Sequence, residues 1–200
     1  MVMAAHHKII HPLWIRLCHW VNFIALTIML LSGWRIYNAS PIFSFSFPKQ
    51  ITLGNWLGGA LLWHFAFMWL FFLNGLIYLL TNILTGRFMK KFFPLRRQDL
   101  INDIMATLKA KLDHGTLATY NTIQKLAYLF IICDLILLVL SGLVLWKSVQ
   151  FPLLRELLGG YDSARVVHFC AMVALLGFFI IHVTMVALVP RTLIMMIRGR

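Results

Sequence analysis

Long apolar stretches separated by charged residues dominate this chain. Four of them, 17–34, 50–86, 126–146 and 166–190, each contain 18 or more residues. About 20 residues of α-helix cross a bilayer core of about 30 Å. The stretches are continuously apolar, whereas the strands of a membrane β-barrel alternate apolar and polar residues. The pattern therefore predicts an all-α membrane protein, a four-helix transmembrane bundle with helices at approximately 13–37, 54–84, 122–146 and 164–189.

The second stretch is the longest and raises the question of one crossing or two. Gly54, Gly58 and Gly59 lie toward its start, and no polar turn divides the remainder. We expect one long tilted helix with an interfacial entry. No repeat or low-complexity tract is evident, so residues 1–200 are predicted to form a single domain.

The largest polar segment is a loop at 87–119, between the second and third helices. Within it, several apolar residues recur at helical spacing on one face, opposite polar residues. This spacing predicts an amphipathic helix that lies in the membrane interface on the cytoplasmic side. The apolar face consists of Ile101, Ile104, Met105, Leu108 and Leu112.

Composition and charge support a membrane protein and predict its orientation. The chain is 61% hydrophobic and 12% charged, whereas a soluble domain is about half apolar and about a quarter charged. Thirteen lysines and arginines fall on the side that carries both termini and five on the other, which predicts cytoplasmic termini in a bacterial inner membrane. The net charge of +12 then indicates topology and contact with anionic lipid, not nucleic-acid binding.

The chain lacks two kinds of sequence motif: a signal-peptide cleavage site and a cysteine motif for covalent haem or a metal cluster. The first hydrophobic segment has no signal-peptide cleavage site and is expected to be retained. The three cysteines form neither CxxC nor CxxCH, so covalent c-type haem and a thiolate cluster are unsupported. Cys133 and Cys170 are expected to be small buried residues.

Four histidines fall within the predicted membrane helices: His19, His64, His168 and His182. Ionisable residues in such segments are costly and usually functional. His168 and His182 are fourteen residues apart, which places them on one helix face about 21 Å apart. Two ligands at that separation cannot bind one metal ion, but they can serve two centres stacked across the bilayer.

Helix direction selects the partner of each of these two histidines. The first helix begins on the cytoplasmic side and the fourth ends there, so His19 pairs with His182. The second helix begins outside, so His64 pairs with His168. Two imidazoles with no carboxylate or thiolate favour the axial ligation of a haem iron over zinc, which takes four protein ligands, or three and a water. With both axial positions filled, the expected chemistry is one-electron transfer.

Other residues are candidates for holding the two haems. Small residues are expected to let a flat macrocycle lie between helices, although ordinary helix packing explains them equally well. Arginines near helix ends are candidates to pair with haem propionates, although anchoring of topology explains them equally well. The small residues are Gly33, Gly142, Ser32, Ser141, Gly58, Gly59 and Gly177, and the arginines are Arg16, Arg35 and Arg165.

Several motifs resemble a known family. "HPLWIRLCHWVN" followed by "LSGWRIY" is similar to the opening of bacterial cytochrome b561-type and hydrogenase-type b cytochromes. "YNTIQKLAYLFIICDLILLVLSGLVLW" and "GGYDSARVVHFCAMVALLGFFIIHVTMVAL" resemble the thiosulfate reductase cytochrome b branch more closely. The resemblance implies two b haems held by His19, His64, His168 and His182. It also implies electron transfer between the quinone pool and a separately encoded periplasmic oxidoreductase, often one containing molybdenum or another metal.

Three questions stay open on the sequence alone. An alternative function is a self-contained oxidoreductase that uses quinone and a small donor such as superoxide, and a third is a non-redox metal transporter or anchor. Asp134 in the third helix either carries a proton for quinone chemistry or forms a local hydrogen bond as a neutral acid. The aromatic residues of the outer loop, Phe43, Phe45 and Phe47, are either interfacial anchors or a partner surface.

Overall fold

The computed structural model describes residues 12–108 and 121–199. These residues form α-helices and one 3-10 turn at Lys49–Ile51, with no strand in the described ranges. The all-α prediction is therefore confirmed. The helices are α1 (Leu13–Ala39), α2 (Leu57–Leu84), α3 (Arg87–Phe92), α4 (Arg97–Leu108), α5 (Thr122–Lys147), α6 (Pro152–Leu157), α7 (Tyr161–Leu188) and α8 (Arg191–Arg198).

Four of these helices, α1, α2, α5 and α7, are long and apolar enough to cross a membrane. They contain 26 to 28 residues, and mean hydropathy reaches 2.7 in α5. The four-helix prediction is confirmed, and the longest apolar stretch contributes the single unbroken helix α2. We use "outer end" for the end of the bundle with segments 40–56 and 148–160, and "inner end" for the opposite one, following the predicted orientation.

Glycines at the outer end set where α2 and α7 begin. Gly54 has φ +107°, and a Cβ there would lie 2.4 Å from the backbone nitrogen of Ala60. Only glycine permits this tight turn into α2. Gly159 and Gly160 have φ +76° and +97°, and the Gly160 N–H donates to the Arg155 carbonyl at 2.8 Å. This turn ends α6 and directs the chain into α7.

The inner end connects the two halves of the bundle through α3 and α4. The Asp103 carboxylate accepts a 2.6 Å hydrogen bond from the Thr122 N–H, and Asn121 and Gln124 form a capping box at the start of α5. Ile101 and Met105 of α4 are exposed. The placement of this helix in a membrane interface stays a prediction, and Leu112 of its predicted apolar face lies outside the described residues.

One expectation about cysteines is wrong. Cys133 and Cys170 are exposed on the surface of the bundle, whereas Cys18 is buried. A small apolar residue has no reason to be interior when the surrounding solvent is hydrocarbon, because lipid tails are as apolar as a protein core. The assumption that small sulfur side chains are buried holds for proteins in water.

The spans form an internal repeat that was not recognised in the sequence. Helix α1 packs mainly on α2, and α5 packs mainly on α7. Ser32 lies nineteen residues after Leu13 in α1, and Ser141 lies nineteen after Thr122 in α5. The first histidine of each return helix lies seven residues after the helix start: His64 in α2 and His168 in α7. Equivalent residues therefore occupy equivalent positions in the two halves.

Candidate functional site

In the first half of the chain, α1 orients the imidazole of His64. His64 Nδ1 lies 3.1 Å from the Met29 carbonyl oxygen and 3.2 Å from Ser32 Oγ. Ser32 is fully buried, and its hydroxyl donates to the Ile28 carbonyl at 2.7 Å. The Ser32 oxygen is thus left to accept from His64.

The second half repeats this arrangement around His168. His168 Nδ1 lies 2.9 Å from Ser141 Oγ, and the Leu138 carbonyl also contacts this imidazole. Ser141 is fully buried and donates to the Leu137 carbonyl at 2.6 Å. His64 and His168 interact electrostatically, in keeping with the outer pair inferred from topology.

These contacts determine which ring nitrogen is available for a ligand. A carbonyl oxygen only accepts, so Nδ1 of both histidines must carry the proton and donate it. Nε2 then keeps its lone pair. A histidine that ligates a metal usually donates its other N–H to a carbonyl or carboxylate in this way. The outer pair therefore fits the axial ligation of a haem iron.

The glycine after each serine faces the imidazole. A Cβ at Gly33 would lie 3.5 Å from His64 Cε1, and one at Gly142 would lie 3.3 Å from His168 Cε1. Both glycines thus allow close approach of a histidine ring. Their predicted part in making room for the macrocycle stays a prediction. Gly58 and Gly59 pack around Trp56 and Gly54 at the start of α2, and Gly177 has open space around it.

Aromatic contacts beside the outer pair also occur twice. Phe65 follows His64 and lies 5.8 Å from Trp146 between ring centroids. Phe169 follows His168 and lies 5.0 Å from Tyr37. Tyr37 and Trp146 are both twenty-four residues from the start of their helices. The two halves thus contact each other reciprocally, α2 against α5 and α7 against α1.

The inner pair, His19 and His182, is also brought together. Their ring centroids are 6.0 Å apart and their planes are inclined by 59°. Two imidazoles that bind the same metal from opposite sides, each through a bond of about 2 Å, have ring centroids roughly 6 Å apart. Phe178 stacks on His182 at 5.8 Å, and Trp20 lies edge-on to His19 at 5.4 Å. The spacing fits bis-histidine ligation at this level too.

The inner pair has no histidine counterpart in the repeat. His19 lies six residues after Leu13, and the residue six after Thr122 is Tyr128. His182 lies twenty-one residues after Tyr161, and the residue twenty-one after Leu57 is Tyr78. Tyr78 and Tyr128 interact electrostatically with each other. A pair of tyrosines thus occupies the positions equivalent to the inner histidines.

The candidate arginines have contacts of their own. Arg16 Nη1 donates to the Ile197 carbonyl in α8, and Arg16 Nε is buried with no hydrogen-bond partner among the described residues. Arg165 donates to the Ser40 carbonyl and hydroxyl and lies 4.0 Å from Asp162. Arg35 is half-buried in the last part of α1. Pairing of these arginines with propionates stays a prediction.

Asp134 is buried in α5, seven residues before Ser141 and so on the same helix face. One of its carboxyl oxygens has no hydrogen-bond partner within the described ranges. Its role as a proton carrier stays a prediction. In residues 12–108 and 121–199, no three His, Cys, Asp or Glu side chains gather into a possible metal site.

Sequence reasoning missed the serines and tyrosines, although a signal for both was present. "LSG" occurs at 31–33 and 140–142, and "HF" at 64–65 and 168–169. Aligning the two halves on these short matches places Tyr128 opposite His19 and Tyr78 opposite His182. Ser32 and Ser141 were considered only as small residues, whereas their hydroxyls contact the histidines.

Comparisons with known proteins identify one family and one similar protein. The model of the family described as "Prokaryotic cytochrome b561" matches residues 10–199. A similar protein from Azospira oryzae is 62% identical over 190 residues, covering 95% of this chain and 96% of that protein. It is named a putative protein-methionine-sulfoxide reductase subunit, YedZ1.

Proposed function

This chain belongs to the prokaryotic cytochrome b561 family, and from that premise we propose that it is a dihaem b-type cytochrome. Membership implies haem b and a multi-pass bacterial membrane protein. In our proposal the chain carries electrons across the inner membrane between the quinone pool and a periplasmic oxidoreductase. Both termini face the cytoplasm in this arrangement, in keeping with the distribution of lysine and arginine.

One observation carries the proposal: two histidine pairs at two levels of one bundle. Helix α7 contributes to both, through His168 at the outer level and His182 at the inner level. The rise between them is about 21 Å. Two redox centres at that separation divide the hydrocarbon core into shorter steps, which suits electron transfer across a membrane.

The protein's part in this chemistry follows from the histidine contacts. When bound, each haem supplies a one-electron iron couple. The Met29 and Leu138 carbonyls with Ser32 and Ser141 hold the outer imidazoles in one tautomer and orientation. Hydrogen bonding at Nδ1 raises the basicity of the ligand nitrogen, which favours the oxidised iron. Two protein ligands at each level leave no position for a substrate, so we assign electron transfer and no substrate site.

The name of the similar protein suggests a partner. It is called a subunit of a protein-methionine-sulfoxide reductase, and we propose that this chain supplies electrons to a periplasmic enzyme of that activity, which uses a metal cofactor such as molybdenum. Reduction of one methionine sulfoxide consumes two electrons and two protons and releases water. The resemblance to thiosulfate reductase subunits concerns the cytochrome motifs. It makes thiosulfate the alternative to methionine sulfoxide as the substrate of the partner enzyme.

Haem counting tests the cofactor assignment. Purified protein is expected to show a dithionite-reduced b-type spectrum and two haems per chain by the pyridine haemochrome assay. One haem per chain would exclude the dihaem assignment, and none would favour a transporter or anchor.

Enzyme assays separate the electron-transfer subunit from a self-contained oxidoreductase. We expect the isolated cytochrome, reduced with a quinol analogue, to be reoxidised by the soluble reductase in the presence of methionine sulfoxide. Sustained turnover of the isolated chain with quinone and superoxide, without a second subunit, would favour the self-contained enzyme.

A further inference from the structure

An aromatic cluster covers the outer end of the bundle next to His168. Its members are Tyr37, Phe43, Phe45, Phe47 and Phe169. Phe43 and Phe45 lie 5.3 Å and 6.2 Å from Phe169 between ring centroids, and their own rings are parallel within 3°. Phe169 directly follows His168. The cluster therefore extends from the residue that follows His168 in α7 to the protein surface.

The loop that carries this cluster is held in place by polar contacts. The Asn38 side chain forms two 2.8 Å hydrogen bonds with the backbone of Phe47. Its Nδ2 donates to the Phe47 carbonyl, and its Oδ1 accepts from the Phe47 N–H. The Tyr37 hydroxyl accepts a 3.2 Å hydrogen bond from the Phe43 N–H. Arg165 of α7 donates to the Ser40 carbonyl. Because the backbone is fixed from both α1 and α7, the phenylalanine rings are presented in one arrangement.

Despite these contacts, Phe43 and Phe45 remain 44% and 47% exposed. Interfacial anchors are mainly Trp and Tyr side chains at the level of the lipid headgroups, whereas these two phenylalanine rings pack on one another and on Phe169 of α7. Rigid exposed aromatic side chains surrounded by polar groups are typical of the centre of a protein interface.

The charges of the outer end indicate the chemistry of the partner. Its cations outnumber its acids, and a docking protein with an acidic rim would meet a complementary potential. Complexes that transfer electrons are small and transient, so a few aromatic residues with a charged rim suffice. The cations are Arg35, Lys49, Lys147, Arg155 and Arg165, and the acids are Glu156 and Asp162.

We propose that the aromatic cluster is the docking site of the soluble periplasmic oxidoreductase, which contacts Phe43 and Phe45 through an apolar patch with an acidic rim. This inference rests on the proposed function, because it assumes that electrons leave the chain at its outer end. Because Phe169 follows His168 in α7, a partner that contacts this cluster would dock at the end of the bundle that carries the outer histidine pair.

The test compares two double variants of the full-length cytochrome in nanodiscs. Phe43→Ser with Phe45→Ser removes the exposed rings but keeps the backbone hydrogen bonds. Leu153→Ser with Leu157→Ser is the matched control, because these α6 residues are also on outer segments and are 70% and 76% exposed. Each sample is reduced with a quinol analogue and mixed with the catalytic subunit of a protein-methionine-sulfoxide reductase and methionine sulfoxide. In a parallel reaction, ferricyanide replaces the reductase as the oxidant, because it needs no docking site.

We expect the phenylalanine variant to transfer electrons to the reductase about tenfold more slowly, a factor typical for loss of a central interface residue. Ferricyanide oxidation and haem content should be unchanged, the leucine variant should match the wild type, and wild-type transfer should slow with salt. Equal transfer by the phenylalanine variant overturns the docking site alone. A wild-type chain that never reduces the reductase overturns the proposed function as well.

A labelling experiment checks the same surface without removing a ring. Ser44 lies between Phe43 and Phe45 and is exposed. We expect Ser44→Cys, in a chain with Cys133→Ala and Cys170→Ala, to react with a membrane-impermeant maleimide from the outside. The reductase should slow this labelling several-fold. Labelling that the reductase leaves unchanged would place the docking site elsewhere.

Discussion

The outer and inner histidine pairs are built in different ways. His64 and His168 come from equivalent positions of the two halves, and each is held by the serine and carbonyl of its own helix pair. His19 and His182 come from non-equivalent positions, and tyrosines occupy the equivalent places, Tyr128 for His19 and Tyr78 for His182. A duplicated scaffold thus provides one pair of equivalent histidines and one pair of histidines whose equivalents are tyrosines. Repetition of the backbone did not require repetition of the ligands.

Removing a ligand from either pair should have the largest effect. We expect His182→Leu to lose the inner haem and keep the outer one, because no part of the outer pair is contributed by residues near His182. His168→Leu should lose the outer haem. The pyridine haemochrome assay should give one haem per chain for His182→Leu. Two haems in either variant would contradict the assignment of that histidine.

Removing the serines should affect the outer site alone, and less severely. Ser141→Ala deletes one of two acceptors for His168 Nδ1 and leaves the Leu138 carbonyl. We expect haem affinity at the outer site to fall about tenfold, which is the lower end of the range seen when a hydrogen-bond partner of a metal ligand is removed. The midpoint potential of that haem should rise by tens of millivolts, because its ligand becomes less basic.

Redox titration of both haems measures this difference. Ser32→Ala is the matched variant in the other half and should act in the same direction, since Ser32 makes the equivalent contact to His64 at 3.2 Å. A shift of the inner haem in place of the outer one would show that the two sites are not independent.

The smallest effect is expected at the tyrosines. Tyr78→Phe keeps the ring and removes only a hydroxyl, so haem content should stay at two per chain. The free energy of unfolding, from thermal denaturation followed at the Soret band, should fall by no more than about 1 kcal/mol, as for loss of one hydrogen-bonding group. Tyr128→Phe should behave alike. Loss of haem from either variant would mean that the tyrosines belong to a haem site, and the contrast between the inner histidines and their tyrosine equivalents would disappear.

The number of spans and the spacing of ligands could be predicted from the sequence. Hydrophobic length, with the absence of a polar turn in the longest stretch, predicted four helices, because backbone polar groups in lipid must be satisfied within each span. The interval between His168 and His182 predicted two levels, because helix rise is constant. Both inferences rely on local geometry that the rest of the chain does not alter.

Contacts between distant segments could not be predicted in this way. The packing of Phe43 and Phe45 on Phe169 joins residues more than 120 positions apart, and no periodicity encodes it. The role of Ser141 required knowledge that α5 lies against α7. Cys133 and Cys170 were predicted to be buried on rules for proteins in water, and the membrane removes the basis of those rules.

The support of each outer histidine by its own helix pair also has a consequence for biogenesis. The α1–α2 hairpin contains the Met29 and Ser32 oxygens that contact His64 Nδ1, so these contacts do not require α5 or α7. The second hairpin prepares His168 in the same way. Both histidines of the proposed outer site are present only when α7 has been inserted, so binding of a haem there would require all four spans.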